Sequence, residues 1–139
     1  MINYLCDGTQ MPKILKRKIS KWIKSVALEY GKRVGDIGYL FCNDKKIIEI
    51  NRQYLDHDYF TDIITFDYTE ENIISGDIFI SIDTVSSNAK AYGVSFDQEL
   101  KRVIIHGILH LCGQNDHSEE EQKEMRLKED KALEMLQYQ

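Results

Sequence analysis

The chain is short of the residues that mark several classes of protein. It has one proline, Pro12, in 139 residues. With no polar low-complexity tract beside it, that excludes a collagen-like or disordered chain. The 3 cysteines, Cys6, Cys42 and Cys112, are odd in number and far apart. Without a CxxC pair they form neither a disulfide framework nor a cysteine-based zinc finger. No apolar run approaches ~18 residues, and MINYLCDGTQ lacks a basic segment followed by an apolar one; neither a membrane span nor a signal peptide is expected. Positive charge is also scarce, with 18 Lys and Arg against 23 Asp and Glu, a net −5. That is no footprint for avid, non-specific nucleic-acid binding, although it allows a locally basic groove. These absences point to a reduced, cytoplasmic protein with neither a membrane nor DNA as its partner.

What is present suffices for a core. The 42% hydrophobic fraction supports one domain over residues 1–139, a length that leaves no room for two. Ile2–Cys6 reads as an edge strand before the turn residues Asp7 and Gly8. Pro12 can open a helix in its first turn. Leu15, Ile19, Trp22, Ile23, Val26 and Tyr30 follow helical spacing, with lysines on the opposite, solvated face and Gly31 as the stop. Ile37–Cys42 reads as a strand, and Asn43 or Asp44 caps a short helix ending near Tyr54. Ile63–Tyr68 and Asp77–Ile82 read as neighbouring strands joined by the polar TEENIISG loop. Asp83 caps a helix that stops at Gly93, Ser95 with Gln98 opens another reaching about Cys112, and Ser118 with Glu121 opens the last. The order β-α-β-α-β-β-α-α-α predicts an α+β fold: a small mixed β-sheet packed by helices.

The chemistry concentrates late in the chain. Of 4 histidines, three lie between positions 106 and 117, in His106-Gly-Ile-Leu-His110-Leu-Cys-Gly113-Gln-Asn-Asp116-His117. His106 and His110, at i and i+4, share one helix face about 5–6 Å apart. Two imidazoles so placed can bind one metal ion, and Gly113 ends the helix so that the chain can return a third ligand, Asp116 or His117. A zinc peptidase would carry Glu directly after the first histidine as general base; here that position is Gly107. The base must then come from elsewhere in the fold. Cys112, two residues after His110, points to another face and suits the core. His57, between Asp56 and Asp58, reads as an exposed loop residue.

The segment His106–Gly113 resembles the HGxLHLxG signature of the YbeY family, bacterial metal-dependent endoribonucleases of rRNA maturation. Asn51-Arg-Gln-Tyr54 followed by Thr61–Phe66 resembles that family's L-N-x-x-Y…T-D/N-V-L-S-F stretch. Ser75-Gly76-Asp77-Ile78 with Ile80-Ser81 resembles its G-D-I-x-I-S strand. The resemblance spans roughly residues 35–135 in the family's order. It implies a zinc-type site with three ligands and one ion, on a late helix and the loop after it. It also implies action on ribosomal RNA, chiefly the 3′ end of the small-subunit rRNA, and a part in ribosome quality control. The family's third ligand, usually a histidine, lies ten residues after the first, a register that falls on Asp116 and gives the set His106, His110 and Asp116. An arginine usually follows the motif's tyrosine; here Leu55 does, leaving Arg52, Arg102 and the lysine-rich first helix to meet phosphates.

A single-strand endoribonuclease is therefore the leading expectation. Leu55 and Gly107 lend weight to another reading, a non-catalytic ribosome assembly factor with a structural metal; a metallopeptidase stands third. At net −5 the chain repels RNA at long range, which leaves room for a protein partner that brings specificity and positive charge.

Overall fold

A computed structural model describes residues 1–55 and 61–138. The element order is β1 (Ile2–Asp7), α1 (Lys16–Glu29), β2 (Arg33–Cys42), α2 (Asp44–Tyr54), β3 (Ile63–Asp67), β4 (Ile73–Ser81), α3 (Ile82–Tyr92), α4 (Phe96–Leu111) and α5 (Glu119–Leu136). The expected α+β architecture is thus observed, and local chemistry explains most boundaries. Asn43 accepts from the Lys46 amide and starts α2. Full capping boxes, Ser95 with Gln98 and Ser118 with Glu121, open α4 and α5. At the end of α4, Gly113 takes φ +102, its amide bonds the His110 carbonyl and that of Gln114 bonds the Leu109 carbonyl. This paired closure needs a residue that tolerates positive φ, and it fixes where the chain leaves the histidine helix.

The sheet order is β1-β2-β4-β3, with β1, β2 and β4 parallel and β3 antiparallel to β4. Side chains alternate between its faces. Tyr4, Tyr39, Ile78 and Ile80 face the main core with Trp22, Ile23, Ile104, Ile108 and Met125 of the helices. Cys42 and Ile64 face a smaller cluster with Ile47 and Ile50 of α2. Two buried hydrogen bonds lock the layers. The Trp22 indole donates to the Ala132 carbonyl at 2.7 Å, and the Tyr39 hydroxyl donates to the Ile104 carbonyl at 2.8 Å. The second ties the central sheet to the histidine helix.

Several local expectations are corrected. Pro12 does not open α1, which starts at Lys16. Met11 and Ile14 instead pack against the core from irregular chain, and Leu15 is exposed. β2 begins at Arg33, ahead of the expected Ile37. The second hairpin strand begins at Ile73, because residues of the expected loop pair with Arg33 and Val34 of β2. Ser81, not Asp83, caps α3. Asp83 accepts from the Asp44 amide at 3.0 Å, and Ser81 and Thr84 hydroxyls donate to Asp44 Oδ1, each at 2.6 Å. The starts of α2 and α3 are thereby pinned together.

Gly76 is required by a close approach. A Cβ there would lie 2.4 Å from the Phe66 carbonyl oxygen and 3.1 Å from Leu111. Relief would have to part β3 from β4 or push α4 outward. Gly76→Ala is expected to lower unfolding free energy by about 1–3 kcal/mol, read from urea or thermal denaturation. An unchanged midpoint would refute the overpacking.

Candidate metal and catalytic site

The edge strand β3, the end of α2, the C-terminal half of α4 and the loop after it enclose a cleft of about 380 Å³. All the ligand candidates line it: His106, His110, Asp116 and His117. The helical spacing, the Gly113 closure and the return of the loop bring residues eleven positions apart to the lining of one cleft. His57 lies outside the described residues.

His106 is the most constrained of the set. Its Nδ1 lies 2.7 Å from Glu129 Oε2, and its Nε2 lies 3.3 Å from Asp116 Oδ2. Glu129 is 5% exposed and also binds Arg102 at 2.9 Å through Oε1, while Arg102 reaches Asp130 at 2.7 Å. Glu129 therefore fixes the imidazole and leaves Nε2 for the cleft, the arrangement by which carboxylates orient metal-binding histidines. Burial alone would push the His106 pKa down. The hydrogen bond and charge of Glu129, followed by Asp116 and Asp62, outweigh it, so the pKa is raised.

Two donors on a tetrahedral ion at ~2.0–2.1 Å stand about 3.3–3.4 Å apart; His106 Nε2 and Asp116 Oδ2 stand 3.3 Å apart. Donor type, the Glu129 support and this spacing fit such an ion. Among the described residues, however, no three His, Cys, Asp or Glu side chains are gathered closely enough to hold an ion as they stand. His110 shares the cleft, one helical turn on from His106.

Three lining or supporting residues were missed in the sequence. Glu129 had a signal: with Met125, Ala132 and Leu136 it occupies the buried stripe of α5, an acid at a core register. Asn51, 2% exposed, stands on the buried face of α2 and lines the cleft. Asp62 precedes β3 and lines it too. Burial raises the Asp62 pKa, and His106 partly counters this. Only the fold could place that carboxyl beside His106.

Other candidates have other roles. Leu55 does line the cleft, so the position of the expected arginine reaches the site without charge. Arg102 is committed to Glu129 and Asp130 and supports the site from behind. Cys112 packs against the main core, and burial pushes its thiol up to about 11. Gly107 faces the sheet: a Cβ there would lie 3.0 Å from Ile78 Cδ1 and 3.2 Å from Ile63 Cδ1. A glutamate at 107 would enter the core rather than the cleft. The peptidase arrangement is excluded by packing as well as by residue type.

Comparison with known proteins agrees with this geometry. The family model described as "Endoribonuclease YbeY" matches residues 4–137. Relatives named Endoribonuclease YbeY include one from Phocaeicola vulgatus, 59% identical over 98% of this chain and 99% of its own. Another, from Bacteroides thetaiotaomicron, is 57% identical over 96% of this chain and 98% of its own. A solution structure of a Thermotoga maritima protein superposes with a TM-score of 0.71 at 29% identity, covering 98% of this chain and 89% of that one. From the HGILHLCG helix to the full-length match, these findings converge: the chain belongs to the YbeY endoribonuclease family.

Proposed function

We propose that the cleft cuts single-stranded ribosomal RNA, chiefly near the 3′ end of the small-subunit rRNA, with one zinc-type ion held by His106, His110 and Asp116. Membership in the family carries the reaction class, hydrolysis of an internal RNA phosphodiester. The observation that supports the ligand set is the pairing of His106 Nε2 with Asp116 Oδ2 at 3.3 Å in a cleft shared with His110. An ion held there by His106, His110 and Asp116 would supply Lewis-acid polarisation of a phosphoryl oxygen and lower the pKa of water. Glu129 holds the His106 ring in register through Nδ1. Asp62, in the cleft lining, is placed to accept the proton of the attacking water and to return it to the leaving oxygen of the cut phosphodiester. Small ribosomal subunits in the cytoplasm, with a protein partner adding positive charge, are the setting proposed for this activity. Among the described residues no helix is long and apolar enough to cross a membrane.

The test is to incubate metal-loaded protein with a structured rRNA fragment and, separately, with casein. RNA cleavage that stops with a chelator and returns with zinc is the expected result. Tight stoichiometric metal without RNA cleavage would instead support an assembly factor with a structural ion.

Glu129→Gln isolates the support of His106. The amide keeps the size but presents no charge to Nδ1 or Arg102. Metal affinity or cleavage rate is expected to fall about 10–100-fold, measured by competition with a zinc chelator and by turnover. An unchanged value of both would show that packing alone orients the ring.

A further inference from the structure

We infer that a trough leading from the cleft past α3 and α5 toward α1 carries the RNA strand on one side of the cut. In it Tyr92 stacks a base, and Arg126, Lys101 and Lys18 meet phosphates. This rests on the ribonuclease reading above. The hollows of this face join end to end. A recess of about 170 Å³ shares Asp62 and His106 with the catalytic cleft. Tyr92 and Arg126 belong both to that recess and to a cavity of about 400 Å³ beyond it. Lys18 and Lys101 then join this cavity to a further pocket of about 210 Å³ beside Lys13.

The chemistry along this path suits a single strand. Sequence-tolerant binding of single-stranded nucleic acid combines an aromatic platform for bases with a string of cations for the backbone. Tyr92, the last residue of α3, is 60% exposed and stands at the junction nearest the cleft. Arg126 is exposed on α5 at the same junction. Lys101 pairs with Asp97 at 2.7 Å, an i,i+4 pair on the surface that a phosphate can displace. Arg102 is excluded from the string because Glu129 and Asp130 hold it. Glu99, on the trough floor, is buried, and that burial, followed by the Asp62 charge, raises its pKa, with Arg102 and Arg126 opposing. The other cationic hollow, between β1 and α1 at Lys16, Arg17, Lys21 and Lys24, shares no lining residue with the cleft or the trough. Contact away from the scissile bond is where an enzyme gains binding energy for positioning, and this trough is contiguous with the bond it would position.

The experiment uses full-length, metal-loaded protein and single-stranded oligoribonucleotides with one cleavage site, lengthened stepwise on the 5′ or the 3′ side. The readout is the ratio of kcat/KM for the longest substrate to that for the shortest. Wild-type protein should show a rising ratio for extension on one side only. Tyr92→Ala and Arg126→Ala should each reduce that ratio about fivefold or more, as expected for loss of one stacked base or one phosphate contact. Lys45→Ala, exposed at the start of α2 and outside the trough, should keep the wild-type ratio. Variants of Tyr92 and Arg126 that keep the wild-type ratio overturn the trough while leaving the nuclease reading intact. So does an equal loss on short and long substrates, which is a structural effect. A wild-type protein that cleaves no RNA overturns the nuclease reading and the trough together.

Discussion

Asp116→Ala is expected to lose its metal and about 10³-fold or more of its cleavage rate, whereas His117→Ala is expected to keep its metal. By residue type alone the choice would reverse, since imidazole is the commoner partner of zinc. Position decides it. Asp116 Oδ2 lies 3.3 Å from His106 Nε2, and the loop that delivers it is anchored at both sides. Gly113 closes α4. Next to it, Gln114 is 8% exposed, donates to the Asn115 carbonyl at 2.9 Å and accepts from Lys128 Nζ at 2.6 Å. Bringing His117 into the place of Asp116 would slide the chain by one Cα step, about 3.8 Å, and would uproot Gln114. His117 lines the same cleft from the next position, two residues before α5 begins. The rate loss follows because a Lewis-acid ion supplies several kcal/mol of transition-state stabilisation. Elemental analysis of the two purified variants, with turnover on the same RNA, decides the matter. Metal lost from His117→Ala and kept by Asp116→Ala would sink this assignment.

Asp62→Asn should keep the ion and the fold yet lower kcat by about 10²–10⁴-fold, the range for removal of a general acid–base group. The helix offers no base of its own, because position 107 faces Ile63 and Ile78. Among the described residues, Asp62 is the carboxyl outside the proposed ligand set that lines the cleft with His106. Burial raises its pKa, with His106 opposing the rise. A raised carboxyl pKa means that the base form is lost, as pH falls, earlier than for an ordinary aspartate. The acid limb of the kcat profile that this carboxyl produces should therefore be missing in Asp62→Asn. A variant within threefold of wild type would assign the proton transfer elsewhere.

Where the two levels of description agree, the information is local. The apolar periodicity of Ile19, Trp22, Ile23 and Val26, the Ser95 and Ser118 boxes and the Gly113 stop depend on neighbours within a few residues. They can be read directly from the chain. The same holds for His106 and His110, whose shared face is a property of helix geometry. The comparatively poor expectations were those in which distant chain competes. Residues 73–76 read as loop until β2 offers them hydrogen-bond partners. Asp83 reads as a cap until Asp44 arrives to take its carboxylate.

The site divides in the same way. Sequence by itself determined the family and the shared face of His106 and His110, and its register put Asp116 forward as the third ligand, since each is a matter of spacing along one short segment. Only the tertiary structure decided what surrounds them. Glu129 reaches His106 because α5 packs against α4, and Asp62 reaches the cleft because the antiparallel edge strand β3 lies beside the histidine helix. Gly107 is glycine because that helix presses its backbone onto Ile78. These contacts join residues far apart in the chain, and nothing in local propensity encodes which distant side chain arrives.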